Sequence, residues 1–167
     1  GIAAADKYPA IKDVLSREYN ATTYMFPYVL DALFTMGEAQ MALDRMKKMY
    51  PTVMKDGCST LYEHWNHTGS CNHAWTSGAI VPMFRQLAGV DALEPGYRRF
   101  RLAPQMGPLK KINASFETKY GRIAVQLDRS GKKIKASLTV PEGTQCEVRL
   151  HNGKVETLEA GIHKVTL

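Results

Sequence analysis

Lys111–Val140 reads KINASFETKYGRIAVQLDRSGKKIKASLTV, and its period decides the fold. Ile112, Ala114, Phe116 and Thr118 alternate with Lys111, Asn113, Ser115 and Glu117. Ile123, Val125 and Leu127 repeat the spacing after Tyr120-Gly121, and Ile134, Ala136, Leu138 and Val140 repeat it after Ser130-Gly131. Side chains of a strand point alternately to opposite faces, so this period of two predicts strands with one dry and one wet face, joined at glycine turns. Downstream, Cys146, Val148 and Leu150 continue the alternation. Asn152-Gly153 is a strong hairpin signal, and Val155 and Leu158 follow it. The expectation is an antiparallel meander.

Upstream of Pro95 the period is 3.6. Asp6 to Tyr19 is expected as a first helix, with Pro9 in the first turn, where a missing N–H costs little. Thr22 or Thr23 would cap a second, whose apolar stripe is Phe26, Val29, Leu30, Leu33 and Phe34 and which Gly37 ends. A third runs from Glu38 to Tyr50, with Ala39, Ala42, Leu43, Met46, Met49 and Tyr50 on one stripe, and Asp44, Lys47 and Lys48 facing away; Pro51 stops it. A fourth spans His73 to Ala88, kinked at Pro82, with Gly78 easing the crowded carbonyl four residues back. Four helices separated by a long irregular stretch make an incomplete bundle whose stripes need partners.

The 167 residues suit one ordinary domain or two small ones, and 44% hydrophobic with 23% charged is a globular composition. No run is long enough to span a membrane, and the first residues do not form a signal peptide. The chain starts at Gly1 rather than methionine, as an excised or processed piece would. The net charge of +6 is uneven: residues 1–94 hold 8 Lys and Arg against 10 Asp and Glu, residues 95–167 hold 14 against 6. The excess is scattered singly along alternating segments, as in Lys132, Lys133 and Lys135. That is the pattern of a solvated sheet face rather than of a nucleic-acid footprint. Three cysteines, Cys58, Cys71 and Cys146, make no disulfide framework; they fit free thiols, or one bridge and a spare.

Residues 56–77 hold most of the chemistry, and three readings compete there. Cys58, His64, His67, Cys71 and His73 are metal-ligand types, but their spacing matches no compact zinc pattern. Tyr62, Trp65 and Trp75 can pack a long loop on itself, with Glu63 and the histidines bonding backbone. Alternatively the rings stack on the apolar faces of a sugar, and Glu63 acts as acid or base in glycoside hydrolysis. Asp56 and His64 are further neighbours, with His64 expected to turn away from the partners of Glu63 or to cap backbone.

Six ordered stretches carry a resemblance: YNATTYMFPYVLDALFTMGEAQMALDRM, DGCSTLYEHWN, GSCNHAWTSGAIVPMFRQLAGV, EPGYRRFRLAPQMG, YGRIAV and VPEGTQCEVRL. In this order they resemble the carboxy-terminal part of the bacterial α-L-rhamnosidases of glycoside hydrolase family 78. The resemblance implies an α+β multidomain arrangement. Residues 1–94 would be the last helices of an (α/α)6 toroid, and residues 95–167 a carboxy-terminal antiparallel β-sandwich domain. It implies inverting hydrolysis of terminal α-L-rhamnosides without a cofactor or metal. The general base would fall on Glu63 and the general acid outside the chain, so the piece alone is expected to be inactive. Substrate-binding residues would be His73, Trp65, Trp75 and Tyr62. Partners would be a rhamnose-containing glycan or glycoside and the remaining toroid half, with no nucleic acid and no membrane. The compartment (periplasmic, secreted or cytoplasmic) is not readable from these residues. Tyr62 stands where the family usually has tryptophan, and Cys71 interrupts its serine-to-histidine run. The rival reading from another class is a non-catalytic carbohydrate-binding or structural module.

Overall fold

The computed structural model describes residues 3–54, 57–71 and 73–167. The chain forms two compact units, one ending at Pro82 and the other beginning at Met83. Asp56 lies outside the described residues. No helix among the described residues is long and apolar enough to cross a membrane.

In the first unit a 3-10 turn, Ala5–Lys7, leads into helix α1, Tyr8–Arg17. Helices α2, Phe26–Thr35, and α3, Ala39–Met49, form a hairpin around Gly37. Its turn is closed by Gly37 N–H to Phe34 O (2.9 Å) and Glu38 N–H to Leu33 O (2.8 Å). The stripe expected on α2 is the core: Phe26, Leu30, Leu33 and Phe34 are buried, facing Ala39, Ala42 and Leu43 of α3, with Val53 and Ala79. The predicted cap is shifted. Thr22 Oγ1 accepts from Met25 N–H one turn ahead of α2, whereas Thr23 is buried and donates elsewhere.

Arg45, which has no place in the stripe expected on α3, is only 2% exposed. Its guanidinium lies over the Tyr19 ring, 4.1 Å from the centroid, donating to Leu15 O and, at 2.9 Å, to Glu18 O. These are carbonyls at the end of α1, which no later turn of that helix satisfies. A cation there also meets the negative end of the helix dipole. The arginine thus ties α1 to α3, while no residue of α1 itself is buried.

The fourth helix is not regular. Ala74–Ala79 is a 3-10 run and Ile80–Pro82 a single α turn; Met83–Leu87, in the second unit, is a π turn closed by Ala88 N–H to Met83 O at 2.9 Å. Pro82 has no N–H for the α ladder, and the hydrogen-bond register changes around it.

The second unit is a β-sandwich. Strands β1, Val90–Ala92; β2, Arg99–Leu102; β6, Gln145–Arg149; and β7, Val155–Leu158, form one sheet in the order β1-β2-β6-β7. Strands β3, Lys111–Thr118; β4, Gly121–Ser130; β5, Lys133–Val140; and β8, Gly161–Thr166, form the other, in the order β3-β4-β5-β8. The expected meander therefore holds for β3-β4-β5, and the expected hairpin at Asn152-Gly153 joins β6 and β7. After β5 the chain changes sheets, and β6 pairs parallel with β2, Phe100 opposite Cys146. β8 then returns to β5, with Leu138 opposite His163. The inward residues of both sheets share one core: Phe100 and Leu102, Cys146 and Val148, Ile123, Val125 and Leu127, and Ala136, Leu138 and Val140. Gly89 leads into β1 with φ of 77°, and a Cβ there would lie 2.2 Å from the Pro104 nitrogen, so only glycine fits.

Candidate functional site

Glu63 sits on the irregular loop between the Tyr50–Val53 turn and the Ala74–Ala79 turn. Backbone bonds seat this loop on the helices. Tyr62 N–H donates to Val53 O at 3.2 Å. Two buried threonines hold the next carbonyls: Thr76 donates to Tyr62 O at 2.9 Å, and Thr23 donates to Glu63 O. Tyr50 OH holds Thr76 O in turn, at 2.7 Å. A buried hydroxyl needs a partner, and these use the loop backbone as theirs. Thr23 and Thr76 were not singled out as site residues in the sequence; their signal would have been a hydroxyl inside an apolar helical stripe.

The Glu63 side chain is 21% exposed. Its Oε2 accepts from Ser70 N–H at 3.1 Å and lies 3.3 Å from His73 Nδ1; its Oε1 lies 3.6 Å from His64 Nε2. Ser70 Oγ also bonds His73 Nδ1. His64 therefore turns toward the carboxylate, against expectation, because its neighbours Glu63 and His67 are folded into a tight turn (His67 N–H to His64 O, 3.2 Å). The Ser70 amide, followed by the charges of His73 and His64, holds the Glu63 carboxyl below its ordinary range, outweighing the desolvation that opposes it. Gly69 makes the clasp possible. With φ of 81°, it passes so close that a Cβ there would lie 2.5 Å from Glu63 Oε2.

The rings divide into two groups. Trp65 turns to the helices: it meets Phe26 edge-on at 5.1 Å and Tyr50 at 6.1 Å, and its indole N–H donates to Ala21 O at 2.8 Å. Trp75 is 37% exposed; it lies against the His73 ring at 4.0 Å and meets Tyr24 edge-on at 5.6 Å. Tyr28 extends that line through Tyr24 at 6.4 Å. Tyr24 and Tyr28, both exposed, were missed in the sequence because they sit among the residues that start a helix. Tyr62 tilts over the His67 ring at 5.2 Å. Its phenol is pushed up to about 12, chiefly by its hydrogen bond with Cys71. Among the described residues, no three His, Cys, Asp or Glu side chains converge to hold a metal ion.

The site is thus an ionised, partly exposed carboxylate, with a histidine at one oxygen and an exposed tryptophan beside that histidine. Such a group can accept a proton from water, while ring faces and an imidazole fix a polyhydroxylated ligand.

Residues 89–164 match the family model of the bacterial alpha-L-rhamnosidase C-terminal domain. No curated protein matches the chain. Among solved structures, the chain is similar to an alpha-L-rhamnosidase from Dictyoglumus thermophilum at 21% identity and a TM-score of 0.78, over 95% of this chain and 22% of that one. It is similar to one from Aspergillus terreus at 19% identity and a TM-score of 0.78, over 99% of this chain and 22% of that one. It is also similar to one from Streptomyces avermitilis complexed with L-rhamnose, at 19% identity and a TM-score of 0.71, over 98% of this chain and 19% of that one. The chain spans about a fifth of the length of these enzymes. It thus resembles the carboxy-terminal part of a bacterial α-L-rhamnosidase: residues 89–164 match that family's C-terminal domain, and the fold of the whole is shared with the rhamnosidase structures.

Proposed function

We propose that this chain supplies the general base and part of the sugar pocket of an enzyme that hydrolyses terminal α-L-rhamnosides with inversion. In this reading residues 1–94 complete an (α/α)6 toroid, residues 95–167 are its carboxy-terminal β-domain, and the general acid lies outside the chain. Ionised Glu63 takes a proton from a water molecule as that water attacks the anomeric carbon. The acid protonates the leaving oxygen on the opposite face, and the two carboxyl groups stand about 6.5–9.5 Å apart to admit the water. His73 bonds a sugar hydroxyl and Trp75 faces the apolar side of the ring, with Tyr62 completing the wall, while Trp65 packs on Phe26 and Tyr50 and seats the loop.

The observation that carries the reading is the state of Glu63: a carboxylate kept ionised by the Ser70 amide and His73 while still reaching solvent. The test is Glu63→Gln in the intact enzyme. Turnover should fall on the order of 10³-fold, with L-rhamnose binding still measurable by calorimetry. Near-normal turnover would remove Glu63 as base.

A further inference from the structure

His73 stands in extended backbone immediately ahead of the Ala74–Ala79 turn, where its carbonyl accepts from Thr76 N–H at 3.2 Å. Its ring lies against Trp75, centroids 4.0 Å apart. The Nδ1 edge has two oxygens before it, Glu63 Oε2 at 3.3 Å and Ser70 Oγ. Nε2 has no hydrogen-bond partner among the described residues, and the side chain is 29% exposed.

The two oxygens are not equivalent. A serine hydroxyl can give or take a hydrogen bond, while an ionised carboxylate can only take one. A bare Nδ1 would set its lone pair against the Glu63 charge. A protonated Nδ1 satisfies Glu63 and lets Ser70 Oγ accept as well. In a neutral imidazole one nitrogen carries the proton, and the partner of that nitrogen decides the role left to the other.

We propose that Glu63 holds the neutral ring of His73 in its Nδ1–H form, so that Nε2 is a bare acceptor and the sugar hydroxyl it meets must donate. The identity of the ligand rests on the rhamnoside reading above. The tautomer narrows that reading to a rhamnoside whose hydroxyl at this position is free, neither methylated nor acylated. An ether or ester oxygen there would set one lone pair against another, and a polar group left unpaired in this way is how a site rejects an analogue that lacks a hydroxyl. Ser70 follows the tautomer rather than setting it.

The first test is nitrogen NMR of the chain carrying isotope-labelled histidine, at a pH where the ring signals have stopped moving. His163 is the internal reference: its Nε2 lies 2.7 Å from Glu159 O, a carbonyl that can only accept, so its neutral ring is the Nε2–H form. His73 should show the reverse pattern, identified by the signals lost in His73→Gln, and should keep it in Ser70→Ala. An Nε2–H ring at His73, or a switch to it in Ser70→Ala, would overturn the inference. The second test is calorimetry on the intact enzyme with the deoxy and deoxyfluoro derivatives of L-rhamnose, since fluorine can accept but cannot donate. At one ring position the fluoro sugar should bind at least about tenfold more weakly than L-rhamnose, and no more tightly than the deoxy sugar. Fluoro sugars that outbind their deoxy counterparts at every position would overturn it equally. Neither readout depends on turnover, so this inference and the role of Glu63 as base can fail separately.

Discussion

Glu63 and Ser70 hold each other twice: the Ser70 amide donates to Glu63 Oε2 at 3.1 Å, and the Glu63 amide donates to Ser70 O at 2.9 Å. One bond fixes the loop and the other fixes the charge on the carboxylate. Position and ionisation of this side chain are therefore set by the same pair of residues.

The first prediction concerns pH. Glu63 titrates below the ordinary carboxylate range, so its ionised form, the one the proposed reaction uses, persists as pH falls past the usual value and is lost only below it. The acid limb of kcat/KM in the intact enzyme should lie below an ordinary glutamate's. His73→Gln removes one of the charges that lower it, and the limb should move upward. A limb that does not move in His73→Gln, measured by steady-state rates across pH, would separate His73 from the ionisation of Glu63.

Gly69 cannot be replaced without moving Glu63. In Gly69→Ala the new methyl would lie 2.5 Å from Glu63 Oε2, on a backbone with φ of 81°. The left-handed conformation alone costs about 1–2 kcal/mol for an L side chain. Turnover of the intact enzyme should drop at least about tenfold, an expected barrier increase of roughly 1.4 kcal/mol. The melting temperature should shift only a few degrees, because the loop is exposed. A rate equal to that of the unsubstituted enzyme would show that the loop relaxes around the methyl.

Arg45→Met keeps an unbranched apolar stem and removes the donors. Leu15 O and Glu18 O then lose their partner at the end of α1. Hydrogen bonds from a charged donor contribute about 1.5–3 kcal/mol, and urea unfolding followed by helical circular dichroism should report a loss of that size. Arg45→Lys restores the charge but not the fork that reaches two carbonyls, and it should recover only part of the loss.

Leu138 is completely buried at the centre of β5. Leu138→Ala should destabilise the sandwich by about 2–5 kcal/mol through lost burial and the cavity left behind. Tryptophan fluorescence should miss this transition, since Trp65 and Trp75 both belong to the first unit; the β signal in circular dichroism should show it.

The alternation in β3, β4 and β5 was legible because each strand faces core on one side and water on the other, and hairpins keep the partners adjacent. β1 and β2 were not, because three or four residues carry too little periodicity, and because the partner of β2 lies far along the chain. Arg45 was passed over for a different reason: a charge in a helix suggests solvent unless the carbonyls it will bind are known. Glu63 stood out among the rings of its own loop, while its expected role as base and that of His73 came from motif order. The Ser70 clasp was invisible, since its donor is a backbone amide and its condition is the bare Cα of Gly69.

The pairing of β2 with β6 and of β5 with β8 also bears on synthesis. Neither sheet can finish until β6 to β8 have left the ribosome, so β1-β2 waits with an open edge while β3, β4 and β5 assemble. A message cut short within β6 would leave both sheets incomplete, and its product would present unpaired edges to other chains.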